Sequence, residues 1–513
     1  MSIDAALLIA RSGLLHTQRA LSNAADNVAN AETEGYTRKR LPTASVNADG
    51  QGMGVLSIGP LRDVDTALVN EIHKRKSEQA AAEVRDSVLA RINEAHGDPA
   101  KAEGLGDLVG KLRSAFIDLR YDPSQVVKQQ AVVLNAAQNL TQRFNDLSRT
   151  VGEARQAAHD EIGQEIKQVN ATLRELAVLT RDVMARQGSG VPTADLNDKR
   201  DLALGRLSAS MGVKAVWQDN GGLLLLGAGG ISIPLSETGD AFAVPAAMIG
   251  TSSFYGTGGS IPAITLSGLD VTLQMKGGRL GEYLQLRDQT LPRYQAELDI
   301  AVVEIADRFE EEGLRLFTDS TGAVPNPDLG YAAPGSTQIG FAGRIEVNPA
   351  VRAEVRLLRD GTHAISPKPP APTPWFTPNP IDGPAGFTLL IDRILDNSFG
   401  ETQSKGGSWG GFATTGLGPD GKLSSPFGSP KTIEDYAIMV TGLQTSDSGA
   451  AASALETSKQ LAQGLEARFT RQSRVNVDSE MASLIQLQNA YAANARVMST
   501  AQTMWETFFG SVR

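Results

Sequence analysis

The sequence predicts a mainly α-helical protein with a β-rich insertion, arranged in layers as a rod. Three observations predict it. Apolar seams with coiled-coil spacing occupy both ends of the chain, long helical stripes follow inside them, and short strands and turns begin near residue 213. Because the helical ends bracket the other elements, we expect the first and last segments to share one layer and the middle of the chain to lie farthest from it.

Composition narrows the function classes. The chain has 513 residues, 41% of them hydrophobic, and a formal net charge of −10. A mildly acidic chain of this kind is not expected to bind nucleic acid or to insert into a membrane, because nucleic acids and anionic lipids attract basic surfaces. Cysteine is absent, which excludes disulfides, thiolate nucleophiles and thiolate metal sites. The start, Met1 to Asp4, lacks the basic charge of a cleavable signal peptide.

The first and last segments each predict one long helix with a narrow apolar seam. We expect these seams to be the surfaces through which the protein assembles. The N-terminal seam consists of Ile3, Leu7, Leu14, Leu21 and Val28, with Ala10, Thr17 and Ala24 between them. The C-terminal seam consists of Met481, Leu484, Tyr491, Met498, Trp505 and Phe509. Trp505 and Phe509 are expected to anchor it.

Between the ends, apolar stripes predict a bundle of long helices. One helix is expected from about residue 124 to 151, and a separate one carries the stripe from Ile162 to Val183. Val213 to Trp217 and Gly222 to Leu226, around an Asp-Asn-Gly-Gly turn, predict a β-hairpin. Helix is expected again from Gly278 to about Phe317, bent at Pro292, and from about Thr432 onward. Residues 320–428 are the least regular part.

Two motifs are similar to the binding loops of enzymes but lack residues that those loops require. Gly227 to Gly230 follows an apolar strand, but Ser232 replaces the third glycine of a dinucleotide fingerprint. Gly416 to Lys422 imitates a phosphate-binding loop, but Leu423 stands where the magnesium-binding hydroxyl belongs. The five histidines are scattered singly, without metal-ligand spacing. We therefore predict no catalytic residues, no cofactor and no metal.

One motif directly after the first helix is informative. Its residues are Asn27, Asn30, Thr33, Gly35, Tyr36 and Arg38. Asn30 and Gly35 suit a helix end that needs a left-handed turn, and Tyr36 and Arg38 begin an extended segment. The alternative is an ordinary loop that ends a helix, but such a loop would not require so many of these residues so close together in the sequence.

This motif resembles the signature shared by flagellar rod, hook and hook-associated proteins, in which a helix ends in an ANxxTxGYxR-like pattern. Three later stretches are similar to the family of hook-associated proteins that form the first ring of the hook–filament junction. They are Asp195 to Val213, the helix that begins at Gly277-Gly278, and Val475 to Thr500. The resemblance weakens between about 320 and 430.

The resemblance implies paired terminal helices, a helical-bundle middle and an outer β-containing domain. The expected boundaries are 1–45 plus 473–513 for the inner unit, 46–212 plus 277–318 plus 430–472 for the bundle, 213–276 for the β-hairpin-rich segment and 319–429 for the outer insertion. It further implies a structural subunit that caps the hook and adapts it to the filament, as needed for filament assembly and motility.

The same resemblance implies partners and a location. The partners would be copies of the chain in a ring, the hook protein, the second hook–filament junction protein and an export chaperone at the C-terminal region. The chain would be secreted to the junction without a cleavable signal peptide. Two alternatives stay open: a hook or distal-rod protein, or a secreted enzyme or binding module in the 319–429 insert on a flagellar scaffold.

Overall fold

The computed structural model describes residues 3–48, 51–121, 126–366, 375–426, 428 and 430–511. Helices dominate this part of the chain. They are α1 (Ile3–Ala29), α2 (Thr66–Ala95), α3 (Leu105–Tyr121), α4 (Val126–Gly188), α5 (Ala194–Ser210), α6 (Gly278–Gln285), α7 (Leu291–Glu311), α8 (Pro349–Ala353), α9 (Leu357–Asp360), α10 (Leu389–Arg393), α11 (Ile433–Ser473) and α12 (Val477–Ser511).

The strands form small antiparallel sheets of two or three strands. They are β1 (Lys39–Arg40), β2 (Thr43–Ala48), β3 (Gln51–Ser57), β4 (Leu61–Arg62), β5 (Val213–Trp217), β6 (Leu223–Gly227), β7 (Ser232–Ile233), β8 (Phe242–Ala243), β9 (Thr265–Leu266), β10 (Leu269–Asp270), β11 (Phe317–Thr318), β12 (Glu346–Val347), β13 (Thr415–Leu417) and β14 (Leu423–Ser424). The predicted hairpin at 213–226 is confirmed, since Val213 pairs with Gly227 and Trp217 with Leu223.

The body is built on three long helices. α2 and α11 run antiparallel, as a hydrogen bond from His96 to Gln444 and an ion pair from Lys76 to Glu466 show. The prediction of two helices between 124 and 183 is wrong, because α4 is one helix of 63 residues. Gly152 and Gly163 weaken helix propensity at that point. Buried side chains on both sides of them, such as Val151 and Ile162, hold the helix continuous.

Two apolar cores lie along the body. The smaller core joins α4 and α5 to the β5–β10 strands and α6, and includes Leu173, Leu207 and Leu225. The larger core joins α2, α3, the first half of α4, α7 and the start of α11 to the 319–429 segment. Burial of such apolar surface stabilises the body by about 25 cal/mol per Å².

The 319–429 segment shares its core with the helices rather than forming one of its own. Phe309 of α7 lies 5.9 Å from Phe116 of α3 and 5.5 Å from Phe399 of the segment, between ring centroids. The buried carboxylate of Asp299 in α7 accepts hydrogen bonds from the backbone N–H groups of Gly340 and Ala342. Apolar packing and a polar anchor therefore both fix this segment to α7.

The returning helix predicted from Gly278 to about Phe317 is interrupted and shorter. A π-helical turn at 286–290 separates α6 from α7, and α7 ends at Glu311. Pro292 stands in the first turn of α7, where its missing N–H group breaks the regular pattern of hydrogen bonds. The sequence predicts a bend at Pro292. The structure has a change in the hydrogen-bonding pattern directly before this proline.

Candidate assembly interface

The two ends of the chain pair with each other. α1 and α12 lie side by side and antiparallel: Gly13 faces Asn494 and Asn27 faces Glu480, the same number of residues apart on each helix. A Cβ atom added at Gly13 would lie 3.0–3.2 Å from the side chain of Asn494, so the two helices approach closely at this point. The helix of the first residues and the helix of the last residues therefore form one unit.

The predicted N-terminal seam lies on the paired side of α1. Ala10, Thr17, Ala24 and Asn27 are buried, and their spacing follows a heptad. Leu7, Leu14, Leu21 and Val28 are half-buried beside them. The side chain of Ile3 lies outside the described part of the structure. α1 therefore buries small and polar side chains at its centre and keeps its leucines at the margins.

The predicted C-terminal seam includes both covered and exposed side chains, and its role in assembly stays a prediction. Leu484, Met498 and Trp505 are half-buried, but Met481, Tyr491 and Phe509 are exposed by 48%, 43% and 55%. The contact face instead includes Glu480, Leu487, Asn494 and Ala501. The close approach of the helices at Gly13 favours small and polar residues on this face.

Phe509 is exposed for a geometric reason. With the register set by Gly13 and Asn494, Ile3 at the start of α1 lies opposite the region of Met504. Phe508 and Phe509 extend past that point, where their rings and the ring of Trp505 contact one another. The aromatic end of α12 is therefore not covered by α1.

Asn27 is the centre of the signature motif. Its side-chain amide donates to Lys39 O at 3.0 Å and to Glu480 Oε2 at 3.2 Å. Its side-chain oxygen accepts from Lys39 N at 3.1 Å and from the Tyr36 hydroxyl at 3.0 Å. An asparagine can make all four bonds at once, whereas aspartate would lose both donors. Asn27 thus ties α1 to the segment that follows it and to α12.

Arg38 connects this segment to the C-terminal helices. Its Nε donates to Glu480 Oε1 at 2.7 Å, and its backbone N–H donates to Ser473 O, the last residue of α11, at 2.8 Å. Glu480 is only 4% exposed in its side chain. The carboxylate of Glu480 is therefore shared between two signature residues, Asn27 and Arg38.

Asp198 of α5 holds the signature segment on the helical body. Its carboxylate accepts from Thr37 Oγ1 at 2.5 Å and from Arg62 Nε at 2.8 Å, with Lys39 Nζ at 3.6 Å. Arg62 also pairs with Asp201. Burial raises the pKa of Asp198 above its ordinary value, opposed by Arg62 and by the Thr37 hydrogen bonds. We call this set of contacts around Asn27, Arg38 and Asp198 the joint.

The remaining signature residues shape the turn that leads to the joint. The Asn30 side chain donates to Asp26 O at 2.9 Å, and Thr33 Oγ1 donates to Asn30 Oδ1 at 3.3 Å. Gly35 has a φ of +76°, a conformation that L side chains rarely adopt, and it packs against Leu202. Burial, then Asp26, Asp198 and Glu480, raises the pKa of Tyr36 to about 12, so its hydroxyl stays protonated and can donate to Asn27.

A β-hairpin arm that the sequence analysis missed covers another side of α1. β2 and β3 pair antiparallel from Thr43 with Ser57 to Ala48 with Gln51, with a register shift between Val46 and Asn47. Ser12 Oγ accepts from Val55 N at 3.2 Å, and His16 Nδ1 lies 3.0 Å from Ser57 Oγ. The dipeptide Asp49-Gly50 between two β-prone runs is the sequence signal for such a hairpin.

The unit formed by α1, the β1–β4 arm and α12 keeps many large apolar side chains in contact with solvent. Such a concentration marks a surface for association. The exposed residues are Leu8, Leu15, Val46, Leu56, Ile58, Leu61, Val477, Met481, Ile485, Tyr491, Val497, Met504, Phe508 and Phe509. They lie beside the α1–α12 seam and on the outer faces of both helices, and they continue onto the arm.

Among the described residues, no group of three or more histidine, aspartate or glutamate side chains is arranged to hold a metal ion. In the same part of the chain, no helix combines the length and apolar character that crossing a membrane requires.

Comparison with known proteins shows which families the chain is similar to. The model for the helical domain of flagellar hook-associated protein FlgK matches residues 89–317, which include α3, α4, α5 and α6. Flagellar hook-associated protein 1 of Salmonella typhimurium is 23% identical over 97% of this chain and 98% of its own length. The protein of that name from Bacillus subtilis is also 23% identical, over 96% of this chain and 94% of its own length. The chain is therefore similar to the hook-associated protein 1 family over nearly its whole length.

Two further matches fall on the paired ends. The family of flagella basal body rod proteins matches residues 7–37, and the C-terminal family of the flagellar basal body rod FlgEFG proteins matches residues 466–508. These ranges contain most of α1 with the signature as far as Tyr36, and most of α12. The hook-associated protein 1 family thus shares with rod proteins the two segments that the structure brings together.

A solved structure, the flagellar hook junction protein FlgK from Burkholderia pseudomallei, is similar with a TM-score of 0.44 and 15% sequence identity. The similarity covers 82% of this chain and 99% of that one.

Proposed function

We propose that this protein is a structural, non-enzymatic subunit of the bacterial flagellum that caps the hook and adapts it to the filament. The observation that carries the proposal is the paired terminal unit, which is fixed to the body by the joint yet keeps large apolar side chains exposed beside its seam. Copies of the chain would bury these side chains against one another in a ring. The similarity to the hook-associated protein 1 family supports the same role.

Further parts of the proposal concern export and neighbours. The subunit would leave the cell without a cleavable signal peptide, with a chaperone covering the exposed side chains at the end of α12. Its ring would contact the hook protein on one side and the second junction protein on the other. The body and the 319–429 segment, which share one core, would form the outer layers of the subunit.

The test uses two exposed leucines on one side of α1. Leu8 and Leu15 are exposed by 49% and 48% and lie two turns apart, so they project to the same side. In a strain that lacks the chromosomal copy, the variant L8D/L15D is expected to yield hooks without filaments and filament protein shed into the medium. Circular dichroism of the purified variant should match the wild type, because neither side chain contributes to a core.

A matched control places the same change elsewhere. Met248 and Leu269, exposed by 88% and 73%, lie in the β-rich segment far from the terminal unit in sequence. M248D/L269D should support normal filaments and swimming. Normal filaments with L8D/L15D would show that this surface is not used in assembly, and a loss with M248D/L269D would place assembly contacts outside the terminal unit.

A further inference from the structure

The buried residues of the two apolar cores divide at one level of the body. α4 contributes to the larger core as far as Ala154 and to the smaller core from Ile162 onward. On the facing element, Leu284 belongs to the smaller core and Leu286 to the larger core. We call this level the waist: it consists of residues 155–161 of α4, the π-helical turn at 286–290 and the loop at 244–253.

Buried polar side chains connect the three parts of the waist. Arg155, His159 and Arg287 are 4%, 2% and 0% exposed. Arg155 Nε donates to Arg287 O at 2.8 Å, which ties α4 to the π-helical turn. Its Nη1 and Nη2 atoms donate to Gly250 O at 3.1 Å and to Ser253 O at 2.5 Å, which ties α4 to the loop. A shift of the π-helical turn is therefore transmitted to the loop through Arg155.

The direction of the hydrogen bond between Arg287 and His159 is fixed. Arg287 Nη1 lies 3.2 Å from His159 Nδ1. Because a guanidinium can only donate, Nδ1 is the acceptor and carries no proton. The other ring nitrogen then carries the proton and donates to the backbone of Pro245, which has no N–H group and can only accept. His159 is therefore a neutral ring with its proton on Nε2.

A second proton on His159 would disrupt this contact. It would turn Nδ1 into a donor that faces the donor Nη1 of Arg287, and it would place two positive charges side by side. Asp288 is already engaged, since its two oxygens accept from Nε and Nη2 of Arg287 at 2.8 and 2.7 Å. The other charged groups near the ring are Arg155 and Asp160 on α4 itself, and the loop at 244–253 has no titratable side chain.

The environment of His159 disfavours this second proton. Burial, and then Arg287, lower the pKa of His159 below its ordinary value of 6.5, against the opposing effects of Asp160, the bond to Pro245 and Asp288. Between that ordinary value and the lowered one, an opened waist binds a proton that the closed waist excludes. Acidification through this range therefore favours opening, and the contribution of the contact is fully present above it.

We propose that the contact between Arg287 and His159 is an acid-sensitive latch, which opens the waist when a proton on Nδ1 separates the π-helical turn from α4. Opening would let the parts of the body that hold the two cores move relative to each other. The latch lies in the body, so it does not depend on the assembly role proposed for the terminal unit.

The first test observes His159 directly in the full-length protein. Long-range ¹H–¹⁵N correlation spectra of the chain labelled at its five histidines report the tautomer and the titration midpoint of each ring. The signal that disappears in H159N identifies His159. We expect a proton on Nε2 at neutral pH and a midpoint below about pH 6.5. A proton on Nδ1 at neutral pH, or a midpoint at or above that value, would overturn the proposal.

The second test follows the opening itself. Amide hydrogen exchange, corrected for its intrinsic pH dependence, is compared between about pH 7.5 and about pH 5. Protection of residues 286–291 and 244–253 in the wild type should fall by about tenfold, the change that one pKa unit produces. In H159N, the side-chain oxygen can accept from Arg287 and does not titrate, so this loss of protection should disappear.

A matched control replaces a histidine whose protonation the structure accommodates. His363 Nδ1 lies 2.9 Å from Thr362 Oγ1, a hydroxyl that can donate or accept, and Nε2 lies 3.7 Å from the Glu310 carboxylate. H363N should therefore lose protection at the waist in acid as the wild type does. An equal loss in H159N and the wild type would show that another group titrates, and would overturn the latch.

Discussion

Asn27 and Glu480, near opposite ends of the chain, are joined by a buried hydrogen bond of 3.2 Å between Nδ2 and Oε2. The other oxygen of Glu480 accepts from Arg38 at 2.7 Å. A single carboxylate from α12 therefore receives two residues of the motif that follows α1. This relationship explains why the motif residues lie so close together in the sequence: they contact one another, and Asn27 and Arg38 also contact α12.

The first prediction concerns Asn27. N27A should lower the free energy of local opening of α1 by about 2–3 kcal/mol, because it leaves the backbone groups of Lys39 and the Tyr36 hydroxyl without partners in a buried place. Amide hydrogen exchange of the purified chain measures this opening residue by residue. N30A is the control, since Asn30 bonds only within its own turn, and its effect should stay below about 1 kcal/mol. Equal effects of N27A and N30A would show that the side-chain hydrogen bonds of Asn27 do not hold α1 in place.

The second prediction concerns Asp198. D198A removes the acceptor for Thr37 and leaves Arg62 and Lys39 with less compensating charge in a buried site, which should cost roughly 3 kcal/mol. Chemical denaturation and hydrogen exchange at the joint provide the measurement. D195A, on the same helix, breaks only an exposed pair with Arg186 at 3.4 Å and should cost less than about 1 kcal/mol. If D198A were as mild as D195A, the joint would not hold the terminal unit on the body.

The third prediction is a pH dependence. Burial, then Glu304, Glu311 and Asp328, raises the pKa of Asp307 in α7 from 3.8 to about 7, although Lys405 opposes the shift. Between about pH 4 and pH 7 the folded chain holds a proton that the unfolded chain releases. This residue's contribution to the free energy of unfolding therefore falls as pH rises through that window.

Replacing Asp307 by asparagine removes this contribution. D307N should raise the free energy of unfolding at pH 8 by an amount on the order of 2–4 kcal/mol and flatten the profile between pH 4 and pH 7. E401Q is the control, because Glu401 is an exposed carboxylate in the neighbouring segment, and it should leave the slope unchanged. A D307N profile parallel to that of the wild type would show that Asp307 ionises normally in the folded state.

Sequence patterns predicted local structure well and long-range partners poorly. Helical spacing revealed α1 and α12, and the signature pointed to Asn27, Tyr36 and Arg38, which the structure places in the joint. The partners Glu480 and Asp198 lie far away in the chain, and only the tertiary fold brings them near. Met481 and Tyr491 lie outside the face that meets α1, because α12 is apolar on several sides and periodicity alone does not select the side that meets α1.

The pairing of the two chain ends is tested most directly by a disulfide, since the natural sequence has no cysteine to interfere. In G13C/N494C, a Cβ atom at residue 13 would lie 3.2 Å from the Cγ position of residue 494, which a cysteine Sγ would take, and this separation is compatible with a disulfide. Mild oxidation of the dilute purified chain should give a monomer with an internal cross-link, seen as faster migration that reductant reverses. Cross-links only between chains, or none at all, would contradict the antiparallel pairing of α1 and α12.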